Sequence, residues 1–380
     1  MCYSNFKEEV RVVLKIPTEN QKERELVSTL KLLSPGTYLR AGIDLIIQAN
    51  TGGLIVVGDT PEILSLTESG FRINCPYTPT RLSELAKMDG AIILSSDLKR
   101  IVRANVTLLL NTSIFSNETG LRHRAAEKFS KETGHIVLAV SRRRNTLTLY
   151  TGDQNYIFRE RPILISGANQ TMLALTQYAK DLHNAIAILN WTELSGTVTL
   201  SNVIKTIQVC ERVRRTEHEL NRYRIELGTE AQSLQLTPSD LSVEIESALL
   251  IIKDYYIDEE LHENQVFENI FEFNADELSD EKNISSALGY PSNFNNYDEL
   301  LVPRGYRLLS QIPRIPMDIV ENIVNNLKTL EAITTSSIEA LKDIKGVGNT
   351  RATAIKEALV QMKTGTTQPQ ALALPIYDWD

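Results

Sequence analysis

Through its first 160 or so residues the chain is cut into short apolar, β-branched runs, and after Arg161-Pro162 the cuts almost stop. That change of texture limits the possible folds more than any other feature. The runs Leu54–Val57, Ala91–Leu94, Ile136–Val140, Thr146–Tyr150 and Tyr156–Phe158 have strand length and are separated by turn residues. Helical spacing lies before and between them, over Glu23–Leu33, Leu39–Ala49, Thr80–Lys87 and Arg122–Thr133. Strands interleaved with helices predict an α/β domain over 1–162, with a mixed, twisted and largely buried sheet flanked by helices. Helical spacing then runs on over Ala168–Leu189, Leu200–Glu226 and Leu241–Tyr256, broken at Gly228 and Pro238. Residues 163–300 therefore read as an all-α domain, with the polar Asn293–Tyr297 as a hinge. The remainder, 301–380, holds a quasi-repeat. Ile312-Pro313-Arg314-Ile315-Pro316 and Ile344-Lys345-Gly346-Val347-Gly348 each precede a helical run, and Thr364–Asp380 reads as a mobile tail.

A chain of 380 residues suits two or three domains. No apolar run approaches the roughly 20 residues of a membrane helix, and the charged N-terminal stretch is unlike a secretory signal. Cys2, Cys75 and Cys210 are too scattered for a metal or disulfide framework, and Cys75 and Cys210 read as reduced thiols of a cytoplasmic protein. The net charge of -8 argues against a protein coated by nucleic acid. Its distribution is uneven: fifteen acidic residues lie between Glu244 and Glu299 against Lys253 and Lys282. From Val302 to Lys363, nine Lys and Arg outnumber six acidic residues, a pointer to local nucleic-acid contact at the C-terminal end.

Two short stretches carry the chemistry. Asp89-Gly90 alone is a turn dipeptide, but it stands at the head of the Ala91–Leu94 strand, where a carboxylate can bind Mg²⁺ or Mn²⁺. Arg122-His123-Arg124 alone is a solvated helix face, but it opens a helix just after Thr119-Gly120. Free N–H groups there favour anions, Thr119 is a candidate cap, and arginine forks match phosphate oxygens. Neither the Walker phosphate loop nor the dinucleotide glycine fingerprint is present.

With these residues in their order, Leu33–Tyr150 resembles the diadenylate cyclase family, and nearly the whole chain is similar to DNA integrity scanning proteins. The matching text includes Pro35-Gly36-Thr37, Gly53–Asp59, Leu85–Leu94, Glu118-Thr119-Gly120, Arg122–Glu127 and Ile136 into Ser141-Arg142-Arg143. The resemblance implies condensation of two ATP molecules into cyclic di-AMP with release of pyrophosphate. It implies that Asp89 helps bind the metal and positions or activates the ribose 3′-hydroxyl, while Arg122, His123 and Arg124 hold the triphosphate. Gly90 would meet ribose or base through its backbone, and Leu108 would line the adenine pocket. Ser141, Arg142 and Arg144 would reach phosphates, with Ala91, Thr119, Gly120, Leu121 and Ala125 completing the nucleotide site. An octamer with face-to-face cyclase domains follows from the family, and suits a product that needs two facing nucleotides. In one place the chain departs from the family: Leu121 stands where a threonine is usual, which predicts a slow cyclase.

Ile344–Gly348 resembles a helix-hairpin-helix motif. There Lys345, Gly346, Val347 and Gly348, with Arg351 and Lys356, would meet DNA phosphates, and Ile312–Pro316 looks like a degenerate first copy. Phosphate contacts carry no sequence information, so branched or junction DNA is the expected partner, and the family implies that it suppresses synthesis. Two other functions stay open at this point: a branched-DNA sensor with a weakened nucleotide site, and a nucleotidyltransferase acting on DNA.

Overall fold

In the computed structural model, residues 21–233, 242–257, 263–291 and 296–365 are described. The tail beyond Gly365, most of the expected hinge, and Cys2 lie outside them. The chain divides into two compact units. One is Glu19–Met172 with Glu219–Thr237, and the other takes the remainder.

The first unit is built on eight strands. Its elements run α1 (Gln21–Leu32), α2 (Tyr38–Gln48), β1 (Gly53–Val57), α3 (Pro61–Ser65), β2 (Thr67–Glu68), β3 (Phe71–Pro76), α4 (Pro79–Leu85), β4 (Ala91–Leu94), β5 (Arg100–Leu108), α5 (Leu121–Thr133), β6 (Ile136–Val140), β7 (Leu147–Thr151) and β8 (Gln154–Ile157). The strand order is β2-β5-β4-β1-β6-β7-β8, with β3 also pairing β5. Only β1 and β4 are parallel, so the sheet is mixed. The central strands are continuous apolar runs because both of their faces are covered. Ile55, Ile92, Leu138 and Leu149 face a cluster completed by Ile43 and Ile46 of α2. Their neighbours Leu54, Val56, Ile93, Val137 and Tyr150 face the opposite way, against Ala126 and Phe129 of α5. Period-two alternation therefore builds two cores from one set of strands.

Strands β2, β3 and β5 are additions to the pattern read from the sequence. In β5 the apolar Ile101, Ala104, Val106 and Leu108 are buried, while Arg100 and Thr107 face solvent. Asn105 at φ 55° and two register shifts against β4 break the alternation.

Two long helices, α6 (Arg161–Ser195) and α7 (Leu200–Leu227), contribute residues to both units. The last turns of α7 are tied into the first unit. Tyr156 of β8 donates to buried Glu226, Arg159 donates to the Tyr223 hydroxyl at 3.0 Å, and Ser34 donates to the Ile225 carbonyl at 2.5 Å. Burial pushes the Glu226 carboxyl up, against Tyr156 and the nearby arginines. Gly167 of α6 lies so close to Tyr223 that a Cβ would fall 2.5 Å from its hydroxyl.

Beyond α8 (Glu230–Ser233) every named element is helical: α9 (Ser242–Tyr255), α10 (Glu263–Glu272), α11 (Ala275–Ser279), α12 (Glu281–Ala287), α13 (Tyr306–Ser310), α14 (Met317–Leu327), α15 (Leu330–Thr335), α16 (Ile338–Lys342) and α17 (Asn349–Gly365). The quasi-repeat is two helix–turn–helix pairs, α13–α14 and α16–α17. Their turns share a left-handed residue, Arg314 at φ 68° and Gly346 at φ 88°, flanked by buried Ile312 and Ile315 or Ile344 and Val347. No described helix is long and apolar enough to cross a membrane.

A buried ionic cluster holds α13 within the second unit. Asp254 accepts from the backbone N–H groups of Gly305, Tyr306 and Arg307 at 2.7, 2.7 and 3.0 Å, capping the helix. The Arg307 guanidinium meets Glu193 and donates to Asn190 at 2.6 Å, and Tyr255 donates to Glu193 at 2.7 Å. Burial and the Glu193 charge push Asp254 from 3.8 up to about 7. A carboxyl raised on folding favours the folded state below its unfolded pKa, and that contribution is lost as pH rises through the folded value. The melting temperature should therefore carry a component that falls as pH rises from about 4 to about 7. Asp254→Asn should flatten that slope in thermal melts across the range; an unchanged slope would contradict it.

Candidate active site

One end of the sheet gathers the chemistry. Because β4 runs parallel to β1 and antiparallel to β5, the starts of β1 and β4 lie level with the end of β5. Gly53 pairs with Val140 at the end of β6, and Ala91 pairs with Val106. The 89–91 turn, Leu108 and the 141–146 turn therefore share an end of the sheet.

Gly90 has φ 89°, and a Cβ there would fall 2.8 Å from the Val106 carbonyl oxygen. The close pass of β5 thus requires glycine at this position for the fold itself. The turn leaves the Asp89 carboxylate fully solvent-exposed, with the Arg122 guanidinium 3.8 Å away. The two stretches distant in sequence meet here.

Helix α5 begins at Gly120, an extended N-cap with no side-chain hydrogen bond. Exposed Thr119 is not the cap, contrary to expectation from the sequence. The start of α5 therefore keeps unscreened N–H groups and the positive end of its dipole. Arg122 leans against Gly52, where φ is 72° and a Cβ would fall 3.0 Å from the guanidinium and 3.2 Å from the Arg142 nitrogen. Motif reasoning missed Gly52 as a neighbour of the candidate site, since its spacing fits no phosphate loop. The Arg124 Nε donates to the Glu118 carbonyl at 3.2 Å. Glu127 accepts from Ser116 and from Lys131, which holds the loop leading into α5.

The 141–146 turn closes on itself. Ser141 N–H donates to the Thr146 carbonyl at 2.9 Å, and its hydroxyl accepts from Arg144 N–H at 3.2 Å. Arg142, Arg143 and Arg144 remain exposed. Ala91 and Leu108 are buried in the α5 face of the core, with Ala125 packed against it, whereas Leu121 is 84% exposed at the helix start. His123 is half-buried, and its Nδ1 lies 3.0 Å from the Tyr150 hydroxyl. Burial first, and then the Arg144 charge, push its pKa down, against Glu118.

Among the described residues no three His, Cys, Asp or Glu side chains gather to hold a metal. Asp89 offers one carboxylate beside a guanidinium. That set suits a hard cation carried mainly by phosphate oxygens, as Mg²⁺ or Mn²⁺ is when it arrives with a nucleotide, and does not suit a resident metal.

The C-terminal candidates belong to the other unit. Lys345, Gly346 and Gly348 are exposed at the second turn, and Val347 is buried beneath it. Arg351 donates to the Gly346 carbonyl at 2.8 Å, bracing the turn. Lys356 donates to the Thr334 carbonyl at 2.7 Å, so its ammonium is already engaged within the protein.

Family comparison agrees with this geography. Residues 40–155 match the model described as DisA bacterial checkpoint controller nucleotide-binding, and residues 158–297 match the DisA bacterial checkpoint controller linker region. The chain is 43% identical over 342 residues to the DNA integrity scanning protein DisA of Acetivibrio thermocellus, covering 90% of this chain and 95% of the relative. It is 42% identical over 347 residues to the protein of the same name from Clostridium acetobutylicum, covering 91% and 97%.

Gly90→Ala separates a fold role from a ligand contact. The left-handed backbone and the β5 approach together should cost at least about 2 kcal/mol of stability. A lowered melting temperature without any nucleotide is expected; an unaltered melt would contradict the packing argument.

Proposed function

This chain belongs to the family of DNA integrity scanning proteins, and on that premise we propose that it is a diadenylate cyclase. It joins two ATP molecules into cyclic di-AMP and releases two pyrophosphates. The single observation that carries the reading is the meeting of Asp89 with Arg122 at the uncapped start of α5. That is a carboxylate for metal and hydroxyl beside a cradle for phosphate.

In each half-reaction a ribose 3′-hydroxyl gives up its proton to solvent as its oxygen attacks the α-phosphorus of the other nucleotide. The bond to the bridging oxygen breaks, and pyrophosphate leaves with the electron pair. Such a transfer asks for positioning and charge neutralisation more than for covalent work. Arg122, Arg124 and the first N–H groups of α5 bind the triphosphate, with Arg142 and Arg144 within reach from their turn. Asp89 orients the attacking hydroxyl and shares the metal. A bound Mg²⁺ or Mn²⁺ lowers the hydroxyl pKa and screens the phosphates. Gly90, Ala91, Leu108, Gly120 and Ala125 shape the nucleotide's seat, and Thr119, Leu121 and Ser141 lie at its rim.

The ring needs two nucleotides head to head, so the working form pairs two cyclase domains across a two-fold axis, within an octamer. The division of labour is three-part: 1–162 catalyses, 163–300 assembles, and 301–380 binds branched DNA without sequence preference, which inhibits synthesis. The C-terminal reading rests on the exposed Gly346 and Gly348 and the neighbouring Lys345, which suit a helix-hairpin-helix contact with phosphate.

Incubation of the full chain with ATP and Mn²⁺, followed by chromatography, should yield cyclic di-AMP. Asp89→Asn should reduce the yield by at least about a hundredfold, and a product other than the ring would refute the reading. Leu121→Thr restores a hydroxyl at the rim and should raise turnover about tenfold, the value of one hydrogen bond to a charged group; unchanged or lower turnover would remove Leu121 as a brake. Specific activity should fall on dilution, since half a site makes no ring; activity proportional to enzyme at every concentration would contradict the paired arrangement.

A further inference from the structure

His123 is held from behind by two residues that the cyclase reading leaves without a role. Tyr150, 1% exposed on β7, donates its hydroxyl hydrogen to Glu118 Oε1 at 2.8 Å. A phenol has one hydrogen, and a carboxylate only accepts. The Tyr150 oxygen therefore faces His123 Nδ1, 3.0 Å away, with lone pairs alone. Nδ1 must carry the hydrogen in that contact, which leaves Nε2 bare in the neutral ring. The Cδ2 of the ring lies 3.5 Å from where a Gly120 Cβ would be, so the edge carrying Cδ2 and Nε2 borders the open start of α5.

A bare Nε2 is the wrong partner for a triphosphate, whose oxygens are acceptors. It matches the donors of a nucleotide, which are the ribose hydroxyls and the adenine amino group. We propose that Glu118 and Tyr150 are positioning residues that fix His123 as the Nδ1-protonated tautomer, so that Nε2 accepts a hydrogen bond from a donor on the nucleotide and not from the phosphate side. This rests on the reading that a nucleotide occupies the site. It assigns the flanking arginines to phosphate and gives the histidine between them a different task. The charged groups facing the ring come from the 141–146 turn, the loop before α5 and α5 itself. Arg144 from the 141–146 turn disfavours a second proton, as does burial, and Glu118 opposes both. Arg122 and Arg124 flank it on α5.

The test is ¹⁵N solid-state NMR on the full chain labelled at its five histidines, with His123 assigned by its loss in His123→Gln. At neutral pH the unaltered, nucleotide-free protein should show His123 protonated on Nδ1 and bare on Nε2. Tyr150→Phe removes the acceptor and should return the ring towards the Nε2-protonated form. Glu118→Gln can donate to Tyr150, free the phenol hydrogen for Nδ1 and move the ring the same way, and it decides the matter if Tyr150→Phe does not fold. An Nε2-protonated ring in the unaltered protein, or no response to either substitution, would overturn the proposal. On adding ATP to the Asp89→Asn chain the Nε2 resonance should shift. The shift should vanish with whichever analogue lacks the donor: 2′-deoxy-ATP, 3′-deoxy-ATP or the triphosphate of purine riboside. Persistence with all three would refute a nucleotide donor. In turnover, Tyr150→Phe should lower kcat about tenfold and leave KM for ATP within about twofold; a raised KM at constant kcat would contradict a positioning role. Absence of cyclic product from the unaltered chain would sink the cyclase reading, while the ring's proton, read without nucleotide, still decides this one.

Discussion

A helix that opens without a capping side chain, beside an exposed carboxylate and a guanidinium, is the constraint on which the rest of the site depends. Gly120 leaves the first N–H groups of α5 uncapped, and the Asp89–Arg122 pair is too exposed to contribute much stability by itself. The arrangement makes physical sense as a place for a polyanion and a hard cation together. The net charge of -8 belongs to the whole chain. This end of the sheet is locally cationic, with Arg122, Arg124, Arg142, Arg143 and Arg144 gathered near the Asp89 and Glu118 carboxylates.

The fold holds that end still from two sides. The close pass of β5 forces glycine at position 90 and so fixes where Asp89 emerges. From the other side, β7 carries Tyr150 to His123, and its neighbour β8 carries Tyr156 to Glu226 in the last turns of α7. The helical linker is thus anchored one strand away from the strand that orients the site histidine. In the second unit the Asp254, Glu193 and Arg307 cluster performs the equivalent service for α13.

Much of this was legible in the residues, and what was not has physical causes. The buried strands β1, β4 and β6 announce themselves because both faces are apolar. β3 and β5 do not, because they mix charged outward residues with a bulge at Asn105. Asp89 and the Arg122–Arg124 triplet were readable as a pair, since each stands at the head of an element. Gly52 was invisible because its importance lies in an approach by Arg122, distant in sequence. The tie between Glu118 and Tyr150 was invisible for the same reason, since a hydrogen-bond chain between a loop and a strand leaves no spacing to read. In the sequence Gly90 suggests a nucleotide's close approach, whereas the pass of β5 is reason enough for it. The Ile312–Pro316 segment reads as a degenerate copy without the glycines, yet its Arg314 adopts the left-handed turn of its counterpart Gly346.

The central claim is that Asp89 and Arg122 serve one transition state. A double-mutant cycle on kcat/KM for cyclic di-AMP formation tests it most directly, using Asp89→Asn, Arg122→Ala and both together. Residues acting as a unit are strongly non-additive, so the double variant should be little worse than the more damaged single one. Losses that simply multiply would mean that the two side chains act independently, and would contradict the account.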